Sequence, residues 1–231
     1  MNPQMLNYKT ETLVDFAYKT IKMDIAQREL AQGQKIVIRE LQERYGLSAT
    51  PIKQALNRLV TEGLVESIPR RGMRVREIKW EEIEDLMDLR SMIETHYIPH
   101  AIAYVKEHPE LIQKFRANIA EHMQIVESRS DVDKHLKNYS LDAEFHQLFI
   151  RCSGNKRVIH FFSSLGTHDY SYFVYGKQDR EGRVSGVKEH QAIIDALEDG
   201  DEDGVRQAMD VHLLNAKTRL HDMFLNDTQT D

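Results

Sequence analysis

Residues 48–76, SATPIKQALNRLVTEGLVESIPRRGMRVR, decide the reading of the chain. The stretch reads as a helix followed at once by a basic β-hairpin. Thr50 is a suitable N-cap, Pro51 then sits at the first helical position where its missing N–H costs nothing, and Gly63 is placed to end the helix. Ile52, Ala55, Leu56, Leu59 and Val60 recur at helical spacing and mark the buried face. Lys53, Gln54, Asn57 and Arg58 are left facing outward, all rich in donors that reach phosphates or base edges. In the hairpin, Val65 and Ile68 precede a tip of Pro69, Arg70, Arg71 and Gly72, and Met73 and Val75 follow it. A solvated surface hairpin is the plain alternative. Capped helix, glycine stop and basic tip in this order instead favour a winged helix-turn-helix, with Arg74 and Arg76 adding to the positive strand.

Upstream, apolar residues from Leu13 to Leu30 repeat at helical spacing, so a first helix is expected over Thr10 to Ala31, ending near Gln32-Gly33. A short extended piece, Lys35 to Ile38, leads to a second helix from Arg39 to Tyr45, and Gly46-Leu47-Ser48 forms the turn. Residues 1–78 thus form a DNA-binding domain of winged-helix size, and residues 79–231 a second domain.

The whole chain carries a formal charge of −6, which taken alone argues against nucleic acid. The distribution of that charge points the other way. Residues 35–76 hold nine Lys/Arg against four Glu, a net of +5, and residues 1–34 are balanced, so residues 77–231 carry −11. A basic module joined to an acidic one implies that one part meets phosphate and the other does not. No run of ~18 apolar residues and no basic-then-apolar leader is present, so no membrane span or secretory signal is expected. The lone Cys152 fits a reducing cytoplasm and reads as a packed residue rather than a nucleophile.

From Trp80 onward no strand pattern appears. Five or six amphipathic helices are expected, placed at roughly 80–107, 109–128, 131–152, 155–176, 184–199 and 201–226, with Pro99 kinking or breaking the first. The fold class is therefore mainly α: a winged helix-turn-helix followed by an all-helical antiparallel bundle with room for a ligand. In the third bundle helix Asp142 and His146 lie at i and i+4, a carboxylate and an imidazole on one face. His190 and His212 both neighbour apolar stretches that face the core. One Asp and three His suit Zn²⁺, Ni²⁺, Mn²⁺ or Fe²⁺, although spacing alone equally allows locally hydrogen-bonded or surface residues. The other eight histidines are read as surface or satisfied core groups; His168, among the aromatics of THDYSYFVY, is the least secure of these.

These patterns resemble the GntR family of bacterial transcription regulators, in the FadR-like branch with the helical FCD effector domain. The likeness rests on Arg39-Glu40-Leu41, on Leu47 through Val65 and on the Pro69 to Gly72 wing, and in the bundle on Asp142, His146, His190 and His212. It implies that those four share a metal ion, and that six bundle helices would point to the VanR-like subgroup. It also implies a homodimer whose bundle binds a small carboxylate metabolite, with Arg90 of DLRSMIE as the matching effector-binding arginine. An ion pair of Arg90 with Glu94 at i+4 is the competing reading. One departure stands out: where relatives carry S-R-T-P-x-R, this chain has Ala49 and Lys53. Lysine keeps the charge but loses the planar fork that reads guanine, so operator preference should shift.

The expected function is a cytoplasmic, ligand-responsive repressor on an inverted-repeat operator of double-stranded DNA. Arg39, Ser48, Thr50, Lys53, Asn57, Arg58, Arg70 and Arg71 are the candidate DNA contacts. Two rivals use the same four ligands. One is a metal-sensing regulator; the other is a metalloenzyme with Glu144 or Glu189 as general base, weakened because Glu144 points to another helix face.

Overall fold

The computed structural model describes residues 12–129, 131–166, 169–173 and 178–225. His168 and the start of the first expected helix lie outside these. Chain contacts divide the molecule into two compact units, Met1–Ile78 and Lys79–Asp231.

In the first unit, helix α1 (Leu13–Ala26) starts where the Thr12 hydroxyl accepts a hydrogen bond from the Asp15 amide. It stops five residues short of the expected end, with Arg28 at φ 62° just beyond. Strand β1 is Lys35–Ile36, helix α2 is Ile38–Tyr45, and Gly46 closes α2 at φ 67°, a backbone shape natural to glycine. Helix α3 runs Ala49–Thr61 with Ser48 as its N-cap residue. The expected cap at Thr50 is thus corrected by two positions, and Pro51 stands third in the helix. It is tolerated there because the first four N–H groups have no partner within the helix. Gly63, at φ 74°, ends α3 as expected.

Helix α1 packs its Ala17, Ile21 and Ile25 on α3, whose Ile52, Ala55, Leu56 and Leu59 are fully buried. At about 1.5–3 kcal/mol per large buried side chain, this apolar seam is what fixes α3. The wing follows as β2 (Val65–Ile68) and β3 (Gly72–Val75). The three strands order as β1-β3-β2, antiparallel throughout, with Ile36 opposite Met73 and Val65 opposite Val75. The extended piece before α2 therefore becomes the third strand of the wing sheet.

The second unit is helical throughout its described residues: α4 (Trp80–His96), α5 (Ile98–Glu107), α6 (Glu110–Glu127), α7 (Val132–Arg151), α8 (Lys156–Ser164), a short 3-10 turn (Asp169–Tyr172), α9 (Arg180–Asp199) and α10 (Glu202–Leu225). Pro99 breaks the expected first helix into α4 and α5, because its ring removes one helical N–H and crowds the preceding turn. Counted with that break the described bundle has seven α-helices, which removes the six-helix count behind the VanR-like placement. Two boundaries also differ. Helix α8 stops at Ser164, with Gly166 at φ 59°, and α9 begins at Arg180, where Asp179 Oδ1 accepts from the Gly182 amide at 2.7 Å. Helix α9 packs on α10 and α6, and α6 on α7, around Phe115, Phe145, Phe149, Ile193, Ile194 and Leu197. No helix among the described residues is long and apolar enough to cross a membrane.

Candidate metal centre and nucleic-acid face

Three histidines arrive at one point from three helices. His146 of α7, His190 of α9 and His212 of α10 are 0%, 0% and 2% exposed, and Asp142 stands one turn before His146. The Nε2 atoms of His146 and His212 are 3.2 Å apart, and His190 Nε2 is 3.3 Å from each. Asp142 places Oδ1 3.4 Å from His190 Nε2 and Oδ2 3.7 Å from His146 Nε2. The spacing suits an ion: nitrogen ligands at about 2.0–2.1 Å in tetrahedral geometry are separated by about 3.3–3.4 Å.

Hydrogen bonds on the far side of the rings set what the near side offers. His146 Nδ1 donates to Glu94 Oε2 at 2.6 Å, and His212 Nδ1 donates to Glu189 Oε2 at 2.9 Å. With their protons held there, both rings turn a lone pair inward, and two acceptors face one another across 3.2 Å. His190 can offer its one ring proton to only one of them. Its own Nδ1 makes no hydrogen bond among the described residues; the ring is instead clamped flat on Phe145, centroids 3.8 Å apart and 7° from parallel. A cation satisfies all three lone pairs at once, so this set can hold a metal ion.

The electrostatics agree. Burial, followed by the Arg90 charge, pushes His146 down to about 4, and burial holds His190 well below the usual imidazole range, so both stay unprotonated as ligands must. Burial alone would raise Glu94 and Glu189. It is outweighed by His146 and Arg90 at Glu94, and by hydrogen bonds from His212, Arg219 and Asn215 at Glu189, and each carboxyl lies at about 2.

A cavity of about 50 Å³ opens against this centre, lined by Asp142 and His212 together with Arg90, Arg183 and Arg219. Arg90 is 1% exposed and donates through Nε to Glu94 Oε1 at 3.0 Å. The ion pair of Arg90 with Glu94 is thus present, and the same residue lines the cavity. Glu189 is engaged by His212, Asn215 and Arg219 and serves as an orienting carboxylate rather than a free base. Glu144 is exposed and accepts from Asn118 at 3.2 Å, away from the cluster. Sequence reasoning missed Glu94 as a partner of His146, and Arg219 altogether. The only local signals were the i+4 spacing from Arg90 and the two-turn spacing of Arg219 from His212. His135 is buried and bonded to the Ser171 carbonyl, as a satisfied core group should be, whereas His122, bonded through Nε2 to Asn138 Oδ1 at 3.0 Å, lines the cavity instead of the core reading expected for it.

In the first unit, Arg39, Ser48, Thr50, Lys53, Asn57, Arg58, Arg70 and Arg71 are all exposed. Arg70 and Arg71 occupy the wing tip, Arg70 at φ 63°. Two of the eight already have carboxylate partners. Arg39 pairs with Glu43 at 3.0 Å, and Arg58 pairs with Asp15 of α1 at 2.7 Å while stacking over the Tyr18 ring, 4.0 Å from its centroid.

Residues 13–75 match the profile of bacterial regulatory proteins of the gntR family, and residues 85–215 match the FCD domain. The chain is 28% identical over 196 residues to an uncharacterized HTH-type transcriptional regulator in an unstable DNA locus of Streptomyces ambofaciens, covering 85% of this chain and 80% of that one. It is 25% identical over 197 residues to the HTH-type transcriptional repressor RspR of Escherichia coli K12, covering 85% and 83%. Among solved structures it resembles E. coli McbR/YncC with a TM-score of 0.67 over 93% of this chain and 100% of that one, a likeness of fold alone at 16% identity. With both profiles in register on its two units, the chain belongs to the GntR family of bacterial regulatory proteins with an FCD domain, and it is a transcription regulator rather than an enzyme.

Proposed function

We propose that the protein is a cytoplasmic homodimeric repressor whose residues 1–78 bind an inverted-repeat operator and whose residues 79–231 dimerise and bind a small carboxylate metabolite beside a divalent transition ion, Zn²⁺, Ni²⁺, Mn²⁺ or Fe²⁺. The observation that carries this is the convergence of three histidine Nε2 atoms within 3.3 Å of one another at the wall of an arginine-lined cavity. Asp142, His146, His190 and His212 would hold the ion, which supplies positive charge for a ligand oxygen. Arg90 meets the ligand's remaining charge from the cavity wall. A space of about 50 Å³ fits an acid of few heavy atoms.

On the DNA side, exposed Lys53 and Asn57 of α3 face base edges, and Arg70 and Arg71 of the wing meet phosphate. Arg39, Ser48 and Thr50 flank them, and Arg58 contributes when its pair with Asp15 opens. Ligand binding favours one arrangement of the dimer over another, and operator affinity follows that population. Fluorescence anisotropy on fragments from the protein's own promoter region tests this, with the protein metal-loaded, metal-stripped, and metal-loaded with a panel of small acids. Selective binding that one acid relieves is the expected result. A response to the ion alone, with none to any acid, makes the ion the signal, and equal binding to random duplex rejects the proposal.

A further inference from the structure

Arg219 belongs to no motif singled out above, yet it occupies a junction. It sits on α10 two turns beyond His212, and its two terminal nitrogens reach Glu189 of α9, Nη1 to Oε1 and Nη2 to Oε2, both at 2.9 Å. The same Glu189 Oε2 accepts the His212 Nδ1 proton at 2.9 Å. A forked, charge-assisted pair of this kind fixes the carboxylate in direction as well as in place. Two glycines one turn apart on α9 lie beside Arg219, and a Cβ at either would meet the arginine only at ordinary contact distance. A Cβ at Gly182 would lie 3.4 Å from Arg219 Cδ, and one at Gly186 3.6 Å from Arg219 Nη2. The guanidinium also lines the cavity that holds Asp142 and His212. On the opposite side the pattern repeats, since Arg90 holds Glu94 and Glu94 holds His146 Nδ1.

We infer that Arg219 is a positioning residue for the ion site, acting through Glu189 to lock His212 in the tautomer that presents Nε2 as a ligand. This rests on the ion-site reading above and extends it. Removing the arginine leaves Glu189 with Asn215 and Ser185 as its other partners, at 2.9 and 3.2 Å, neither of which has a forked grip. The carboxylate then swings, and His212 samples the tautomer with its proton on Nε2, which cannot bind metal. Because Arg219 also faces the cavity, any anion there that draws on its charge alters the hold on His212. The cavity and the ion site are in this way one linked system.

The test uses the full chain and its Arg219→Met, Arg219→Lys and Glu189→Gln variants, with the Arg219→Met/Glu189→Gln double variant. Two-bond ¹H–¹⁵N spectra of the metal-free protein report the His212 tautomer directly. Competition against a chromophoric chelator gives the Co²⁺ affinity, with cobalt alone as the probe. The wild type should show a single Nδ1–H form of His212. Arg219→Met should show a mixture and bind Co²⁺ about 10-fold or more weakly, as outer-shell losses do. Arg219→Lys should recover part of both, and the double variant should bind no more weakly than Glu189→Gln, since both losses pass through one carboxylate. An unchanged tautomer and unchanged Co²⁺ affinity in Arg219→Met overturn the inference, as does a double variant whose losses simply add. A wild type that binds no Co²⁺ overturns the ion-site reading instead, while the tautomer spectra still judge the role of Arg219. Circular dichroism confirms that each variant is folded, and Glu189→Gln serves if Arg219→Met is not.

Discussion

The two units handle charge in opposite ways. In the first, the candidate DNA contacts stand in water on α2, on α3 and its N-cap, and at the wing tip. In the second, Arg90, Glu94, His146, His190 and His212 are all at 2% exposure or less. A solvated charge costs little to keep and remains free to meet a phosphate, so the unit that needs a partner leaves its charges outside. A buried charge is tolerated only with its counter-charge and hydrogen bonds in place, so the bundle keeps its charges in chains: Arg90 to Glu94 to His146, and Arg219 to Glu189 to His212. The contrast teaches that exposed charge is kept for a partner outside the fold, whereas buried charge has to be satisfied within it.

The largest expected effect tests the buried side. Glu94→Ala leaves the Arg90 guanidinium without its carboxylate and should cost about 3–5 kcal/mol. The single tryptophan, Trp80, packs against His221 within the bundle, so its fluorescence in a urea titration reports this unit. A loss below about 1 kcal/mol would break the contrast drawn above. On the exposed side, Arg71→Ala should leave folding unchanged. Its plot of log affinity against log salt should flatten by about one unit, the contribution of one phosphate contact; an unaltered slope removes the wing tip from the phosphate contacts.

A smaller effect, of a few-fold, is expected from Asp15→Asn. The Asp15 carboxyl lies below its usual range through hydrogen bonds from Thr12 and Arg58, and its pair with Arg58 ties down a charge on the outer face of α3. Releasing Arg58 should tighten DNA binding and steepen its salt dependence, whereas weaker binding would mean that Asp15 holds Arg58 in its working position. The smallest effect concerns Cys152, which is 1% exposed and whose thiol burial pushes up to about 12. Iodoacetamide at pH 8 should leave it intact in the native protein and modify it quickly in urea. Equal rates in the two conditions would place the end of α7 in contact with solvent.

The winged unit was legible because its signals are local. Helical spacing, Gly46 and Gly63 as stops, and alternation through Val65 and Val75 each act within a few residues. Local signals also explain the misses. Apolar spacing continues past Ala26, where the backbone turns at Arg28, and the aromatics after Ser164 prolong a helical pattern that Gly166 interrupts. In the bundle, four ligand candidates were marked by type and spacing, and the structure brings all four together. The groups that hold them were hidden because their contacts span the chain: Glu94 reaches His146 across 52 positions, and Arg219 reaches Glu189 across 30. Such pairings depend on how helices pack, which no short pattern encodes.

Elemental analysis of the purified, dialysed full chain tests the central claim most directly, after loading with Zn²⁺, Ni²⁺, Mn²⁺ and Fe²⁺ in turn and beside the His190→Ala variant. The wild type is predicted to retain a single transition ion per chain and the variant to retain none. A wild type that releases every one of the four metals, or a His190→Ala protein that keeps its ion in full, contradicts the account.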